Sequence, residues 1–328
     1  MVLGAAERTW SLLLWDPDPR ELETTPRQRL VLRLKLMVLI LWQFFTALFR
    51  RRPNLLLCSH EKCGTSTLAK HLCACDSIAA PRMAFVKEET YYAMLYDKLP
   101  FFWLGFELGY RAHGPLLFPR HKYVLDACQS GSFFPALTSR LNPVGTKFLL
   151  LLRDPVERAQ SAFNSHTREQ KVGAAYAGKT FEEACDIFLA REEKLCAADA
   201  AIRSSTTLSS AELDAFIASG AGFFEVGKYD VTLSAILAKH PRENVFVSHM
   251  AHLTDDAQAL VDTCCAFLGV KACTVETGYR RNTAPKSADT ISDQLRRRLQ
   301  RHFRPSMDRA NAILSTIATY PPNLQLSF

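Results

Sequence analysis

The chain has 328 residues, 48% of them hydrophobic and 22% charged, with 40 Lys and Arg against 33 Asp and Glu. That length and apolar content exclude a peptide module and a wholly disordered chain, and they suit one large α/β domain or two small ones. More than half of the +7 excess comes from residues 1–52, which carry nine basic and five acidic side chains, so the remainder has no global nucleic-acid signature.

Residues 1–29 are polar, contain Pro17, Pro19 and Pro26, and read as a loose tail. Residues 30–49 are apolar and close on Arg50, Arg51 and Arg52. The charge-free part, residues 36–49, is 14 residues long, against the 20 or so that a membrane span needs. Counting from Leu30 gives 20, with Arg33 and Lys35 near one end where they can snorkel. No small-residue cleavage site follows. A single-pass signal anchor is the expected reading of residues 30–52; an interfacial helix and a buried core helix are the alternatives. Pro53 is expected to end the helix and start the folded domain, residues 53–328.

Residues 54–58 form an apolar run that predicts a buried parallel strand. Residues 59–65 are a loop, and residues 66–75 a helix with Leu68 and Leu72 on one face. Residues 147–152 predict a second strand, running directly into Arg153, Asp154 and Pro155, a proline suited to the first helical position. The following helix turns Val156, Ala159 and Phe163 inward. Residues 244–248 predict a third strand. Residues 255–268 predict a helix ended by Gly269, and residues 292–303 a basic helix ending before Pro305. Strands alternating with helices predict an α/β fold, a parallel central sheet flanked by helices. The Ala-, Ser- and Glu-rich stretch 171–222 reads as a helical insertion.

The ten cysteines form no C-x-x-C pair, and no His sits at zinc-finger spacing, so no structural zinc is expected. Most read as buried free thiols; Cys185 and Cys196 are the first candidates for a disulfide. No N-x-Ser/Thr sequon occurs.

The loop His60-Glu61-Lys62-Cys63-Gly64-Thr65-Ser66-Thr67 lies between a strand and a helix, where backbone N–H groups cup an anion. Walker A spacing is absent, because Lys62 lies two residues before Gly64. Gly64 lets the backbone approach a phosphate, residues 65–67 offer donors, and Lys62 supplies a mobile cation. A capped turn with a solvated lysine is the plain alternative. Arg153 ends the second strand and Ser161 follows eight residues later, a pairing suited to a second phosphate at the edge where α/β sheets bind ligands.

Lys62-x-Gly64-Thr65-Ser66 followed by Leu152-Arg153-Asp154-Pro155-x-x-Arg158-x-x-Ser161 resembles the sulfotransferases that use 3′-phosphoadenosine 5′-phosphosulfate (PAPS). Their 5′-phosphosulfate loop is similar to the first motif and their 3′-phosphate site to the second. Lys87-Glu88-Glu89-Thr90-Tyr91-Tyr92 resembles a segment of the Golgi glycan enzymes in which the Glu is the base. Gly227-Lys228-Tyr229 with the helix after it, and Phe303-Arg304-Pro305, complete the likeness over residues 54–315. The nearest subgroup is the heparan and chondroitin type, closest to enzymes of the N-acetylgalactosamine 4-sulfate 6-O kind. One segment departs from the heparan pattern: Asp126 stands for a Glu, Ala127 for a Lys and Gln129 for a Pro. The acceptor therefore stays open.

The resemblance implies sulfuryl transfer from PAPS to a carbohydrate hydroxyl by in-line displacement, without a metal. Lys62 would neutralise the departing oxygen, and Glu88 would take the acceptor proton, with Glu89 or His121 as substitutes. Cys63, Gly64, Thr65, Ser66, Thr67, Arg153 and Ser161 would bind the nucleotide, closed over by Arg280, Arg281 and Lys286. Lys87, Asp126 and Arg158 would face the acceptor. Arg296, Arg297, Arg298, Arg301 and Arg304 could track an anionic glycan or form a solvated face. With residues 30–49 as the anchor, the resemblance implies a Golgi membrane in type II orientation; a cytoplasmic protein is the alternative. A small-molecule alcohol as acceptor, a degenerate glycan binder and a nucleotide kinase are the competing functions. No nucleic-acid partner is expected.

Overall fold

A two-residue alternation of burial builds the centre of the molecule. In one strand, Lys147–Leu152, the side chains of Phe148, Leu150 and Leu152 enter the apolar cluster on one face of the sheet. Leu149 and Leu151 enter the cluster on the other. Both faces are covered, which is why this strand reads in sequence as an unbroken apolar run. The computed structural model describes residues 38, 42, 45–79, 111, 121–127, 130–168, 174–191, 193–206, 212, 216, 223–276 and 291–317.

Five parallel strands run in the order β2-β3-β1-β4-β5: β1 is Leu55–Leu57, β2 Ile78–Ala79, β3 Tyr123–Asp126, β4 Lys147–Leu152 and β5 Val245–His249. Leu55 lies opposite Lys147 and Leu57 opposite Leu149, while Phe148 to Leu152 match Val245 to His249. The expected α/β fold is therefore present. Because β3 and β4 flank β1 on opposite sides, the topological switch point of the sheet falls at the C-terminal ends of β1 and β4, where α/β sheets bind ligands.

The described helices are α1 (Thr65–Cys73), α2 (Ser130–Phe133), α3 (Pro135–Leu141), α4 (Pro155–Arg168), α5 (Phe181–Leu189), α6 (Glu193–Ser204), α7 (Tyr229–Leu237), α8 (Met250–Asp255), α9 (Ala257–Leu268) and α10 (Asp293–Leu314). Leu68 and Leu72 of α1 join Val261, Cys264 and Leu268 of α9 on one face of the sheet. Val156 and Phe163 of α4, Phe188 of α5, Leu233 of α7 and Phe303 of α10 fill the other.

Several sequence expectations are corrected. The helix expected over residues 255–268 ends on a left-handed Gly269 as expected but starts at Ala257, because Asp256 separates it from α8 and caps it by accepting from the Ala259 N–H at 2.9 Å. The basic helix does not stop at Pro305 but continues to Leu314. An interior proline costs about 3 kcal/mol. Burial of Phe303, Met307, Ala310 and Leu314, and the Arg309–Asp230 pair at 2.6 Å, hold the helix across it. The expected Cys185–Cys196 disulfide is not formed, since Cys185 is a free thiol buried in the α5 core contact. Cys75, two residues beyond α1, is bonded instead to Cys273, 198 residues away, with Cα atoms 5.0 Å apart.

Pro53 does not terminate a helix either. A 3-10 turn at Ala47–Phe49 precedes it, and two of the three arginines that follow the turn, Arg51 and Arg52, are fixed to the domain. Arg50 is buried and donates to Thr46 Oγ1 at 2.8 Å, and burial pulls its pKa down to about 10. Arg51 donates to the carbonyls of His121 and Lys122, and Arg52 to that of Leu141. Among the described residues no helix is long and apolar enough to cross a membrane. Most of residues 30–49 lies outside the described residues; those described include the exposed Val38, Trp42, Phe45, Leu48 and Phe49.

Candidate active site

The loop after β1 is shaped by two left-handed residues. Gly64 has φ +84°, and a Cβ there would lie 2.8 Å from Leu253 Cδ2, so glycine is required on both counts. Lys62 has φ +67°, uncommon for a residue with a side chain. Gly64 then caps α1, its carbonyl accepting from the N–H groups of Thr67 and Leu68 at 3.1 Å. Thr65 is buried at the first helical position, and its Oγ1 has no hydrogen-bond partner among the described residues. An orphaned hydroxyl beside a glycine at a helix N-terminus fits an oxyanion ligand.

Arg153 leaves the end of β4 beside this loop. Its Nη1 donates to the Lys62 carbonyl at 3.1 Å and its Nη2 reaches Glu157 Oε2 at 3.5 Å. Asp154 Oδ1 accepts from the Glu157 N–H at 2.8 Å and so caps the first turn of α4, while burial pushes its carboxyl pKa up. The Arg153 carbonyl accepts from the Tyr229 hydroxyl at 2.6 Å. Tyr229 is reached through Gly227, where a Cβ would sit 2.9 Å from Phe303 and 3.4 Å from Pro155. Thus α7 and α10 close on the Arg153 turn because residue 227 has no side chain. Ser161 sits half-buried two turns along α4.

The structure places Lys62, Cys63, Gly64, Thr65, Ser66 and Thr67 in one loop and helix start beside Arg153, with Ser161 on the helix that Arg153 leads into. Cys63 is buried and its thiol is pushed up to about 11 by burial, so it is an inert part of the loop. Asp126 ends β3 at the same edge of the sheet, opposite Leu56. Glu88, Glu89, Lys87, Arg280, Arg281 and Lys286 lie outside the described residues. Two expectations fail on position. Arg158 cannot face an acceptor, because it is fully buried and donates to the Phe223 carbonyl at 2.5 Å. His121 cannot replace Glu88, because it precedes β3 at the opposite edge of the sheet, with its Nδ1 2.8 Å from the Asp76 carbonyl oxygen. His249 and His252 are strand-end fittings: His249 caps α8 and His252 bonds Ser248 at 2.9 Å. Arg298 of the basic helix is tied to Asp186 at 2.6 Å.

Four residues near the loop were not anticipated as part of the site. Ser165 accepts from Lys62 Nζ at 3.3 Å, and His166 contacts the Glu61 carboxylate at 2.8 Å. Ser165 lies one helical turn after Ser161, a spacing that could have marked it. His60 is buried under the loop, 3.0 Å from Thr232 Oγ1, with its ring 4.7 Å from Tyr229. Burial, then the charges of Arg203 and Arg158, hold its pKa well below the usual imidazole range. Arg203 is also fully buried, donating to the Glu225 carbonyl at 2.6 Å and to Thr232 Oγ1 at 3.2 Å. Two guanidinium groups beneath the loop favour anionic ligands above it.

A family model described as a sulfotransferase domain matches residues 52–282. The chain belongs to the sulfotransferase family. Among solved structures, this sulfotransferase is similar to a crystal structure of a sulfotransferase from Alicyclobacillus acidocaldarius. The two are 23% identical over 80% of this chain and 96% of that one, with a TM-score of 0.53, a likeness of fold. No curated protein matches the chain.

Proposed function

We propose that this sulfotransferase moves the sulfuryl group of PAPS to a hydroxyl of a carbohydrate acceptor. The observation that carries this reading is the junction of two anion grips, Lys62 in the loop after β1 and Arg153 after β4, joined by the hydrogen bond between them. The Thr65 hydroxyl, which has no partner among the described residues, and the left-handed Gly64 fit a phosphosulfate at the first grip. Arg153 and Ser161 are assigned to the 3′-phosphate. Sulfuryl transfer resembles phosphoryl transfer in needing alignment and charge stabilisation more than covalent chemistry. Lys62 would stabilise charge on the leaving oxygen, and Glu88 is assigned as the base that accepts the hydroxyl proton. No metal enters this scheme.

The carbohydrate acceptor, the heparan and chondroitin subgroup and the placement at a Golgi membrane rest on the sequence resemblance. The Cys75–Cys273 bond supports an oxidising compartment, and the exposed apolar residues between Val38 and Phe49 support a membrane tether. The test is thermal stabilisation by adenosine 3′,5′-bisphosphate against ATP with Mg²⁺, followed by sulfate transfer to glycans and to small alcohols. Stabilisation by the bisphosphate alone and transfer to a glycan are expected. Preference for ATP would favour a kinase, transfer only to small alcohols would move the acceptor class, and binding without transfer would make the chain a glycan-binding relic.

A further inference from the structure

A lysine held at φ +67° persists only where its surroundings over-determine it. Three contacts do so here. Arg153 Nη1 holds the Lys62 carbonyl at 3.1 Å. Ser165 Oγ accepts from Lys62 Nζ at 3.3 Å. The third is one residue earlier: the Glu61 carboxylate meets His166 Nε2 through both oxygens, at 2.8 and 3.0 Å. Ser165 and His166 are consecutive in the last turns of α4, so one helix end grips two consecutive residues of the anion loop.

His166 is itself braced. Its ring lies edge-on to Phe223, with centroids 5.7 Å apart and planes at 86°. The Phe223 carbonyl is fixed by Arg158 Nη2 at 2.5 Å, and Arg158 is buried in α4, two turns before His166. A closed path therefore runs Arg158–Phe223–His166–Glu61–Lys62 and returns to α4 through Ser165. The His166 and Glu61 side chains are only 19% and 12% exposed, so their pair is sheltered from the screening that makes surface pairs weak.

We propose that His166 is a positioning residue for Lys62: by donating from Nε2 to Glu61 it fixes the peptide that precedes the lysine and so aims the ammonium at the transferred group. This rests on the sulfotransferase reading given above. Misplacing a reacting group by an ångström costs about a hundredfold in rate. Lys62 would be freed, not removed, so the loss should show mainly in kcat.

The test measures kcat and KM for PAPS, adenosine 3′,5′-bisphosphate affinity and thermal stability in four full-length variants. His166→Ala is expected to lower kcat about ten- to hundredfold, with KM changed far less and no matching loss of melting temperature. His166→Gln retains a side-chain donor and should recover most of the rate. Glu61→Ala should match His166→Ala, and the double variant should be no worse than either alone, because both act through one contact. Wild-type kcat in His166→Ala, additive losses in the double variant, or no recovery in His166→Gln would each overturn the inference alone. A wild-type chain that neither binds the bisphosphate nor transfers sulfate would overturn the functional reading and this inference with it.

Discussion

Arg153 Nη1 donates to the carbonyl oxygen of Lys62 at 3.1 Å, so the residue assigned to one phosphate also fixes the backbone of the residue assigned to the other. Arg153→Ala should therefore weaken two ligands unequally. Adenosine 3′,5′-bisphosphate loses a charge-assisted contact, an effect of about 1.5–3 kcal/mol or roughly ten- to hundredfold. Adenosine 5′-phosphosulfate, which has no 3′-phosphate, should lose affinity only through the loosened Lys62 backbone. Calorimetry on both ligands checks this, and equal losses would put the 3′-phosphate elsewhere. Ser161→Ala should follow the same order with smaller losses.

Glycine substitutions test the shape of the site. At Gly64 an alanine would meet both an unfavourable φ of +84° and Leu253 Cδ2 at 2.8 Å. At Gly227 it would meet Phe303 Cε1 at 2.9 Å. Each should cost about 1–3 kcal/mol in chemical denaturation, and Gly64→Ala should also abolish bisphosphate binding. Gly145→Ala is the control, because its Cβ would have no atom of the described residues within 4 Å. Similar stability losses in all three would contradict the close packing described for the loop and the Arg153 turn.

Acid should destabilise the protein through its buried and half-buried histidines. His60 is held well below the usual imidazole pKa by burial first and then by Arg203 and Arg158. His71, His240, His249 and His302 are shifted in the same direction, with burial the largest cause in each. As pH falls below about 6.5, the unfolded chain takes up protons that the folded chain resists. The unfolded state then holds more protons, so stability rises with pH through this window and is lost on acidification. Denaturation midpoints between pH 7.5 and 5 should fall, and His60→Gln should flatten the slope. An unchanged slope in that variant would contradict the assignment to His60.

The strands β1 and β4 were legible because burial on both faces leaves an unbroken apolar run ending in chemistry-bearing residues, Lys62 beyond one and Arg153 beyond the other. The strands β2 and β3 were not, being two and four residues long. β3 is held in part by Asn54, whose Oδ1 accepts from the Val124 N–H at 2.8 Å, a contact with no local signature. The helix through Pro305 was misjudged because local propensity there yields to burial on Phe303 and Met307. The disulfide was misjudged because closeness in sequence says nothing of Cα separation in the fold. The resemblance puts Arg158 toward the acceptor; only packing shows that it is buried against Phe223.

The apolar side chains ahead of the domain make a membrane prediction. Val38, Trp42, Phe45, Leu48 and Phe49 are all exposed, Phe45 at 85%. Full-length protein should float with phosphatidylcholine vesicles, and Trp42→Glu with Phe45→Glu should reduce flotation several-fold. Full-length protein that stays in the soluble fraction would remove the tether from the account.

The most direct test of the central claim is transfer of labelled sulfate from PAPS to a mixed glycosaminoglycan acceptor, run side by side with wild type and Lys62→Ala. Product with wild type is expected, together with a loss of about a hundredfold or more in Lys62→Ala, while that variant keeps its fold by thermal denaturation. Equal transfer by the two proteins would contradict the account, because the left-handed lysine of the anion loop would then have no part in moving the sulfuryl group.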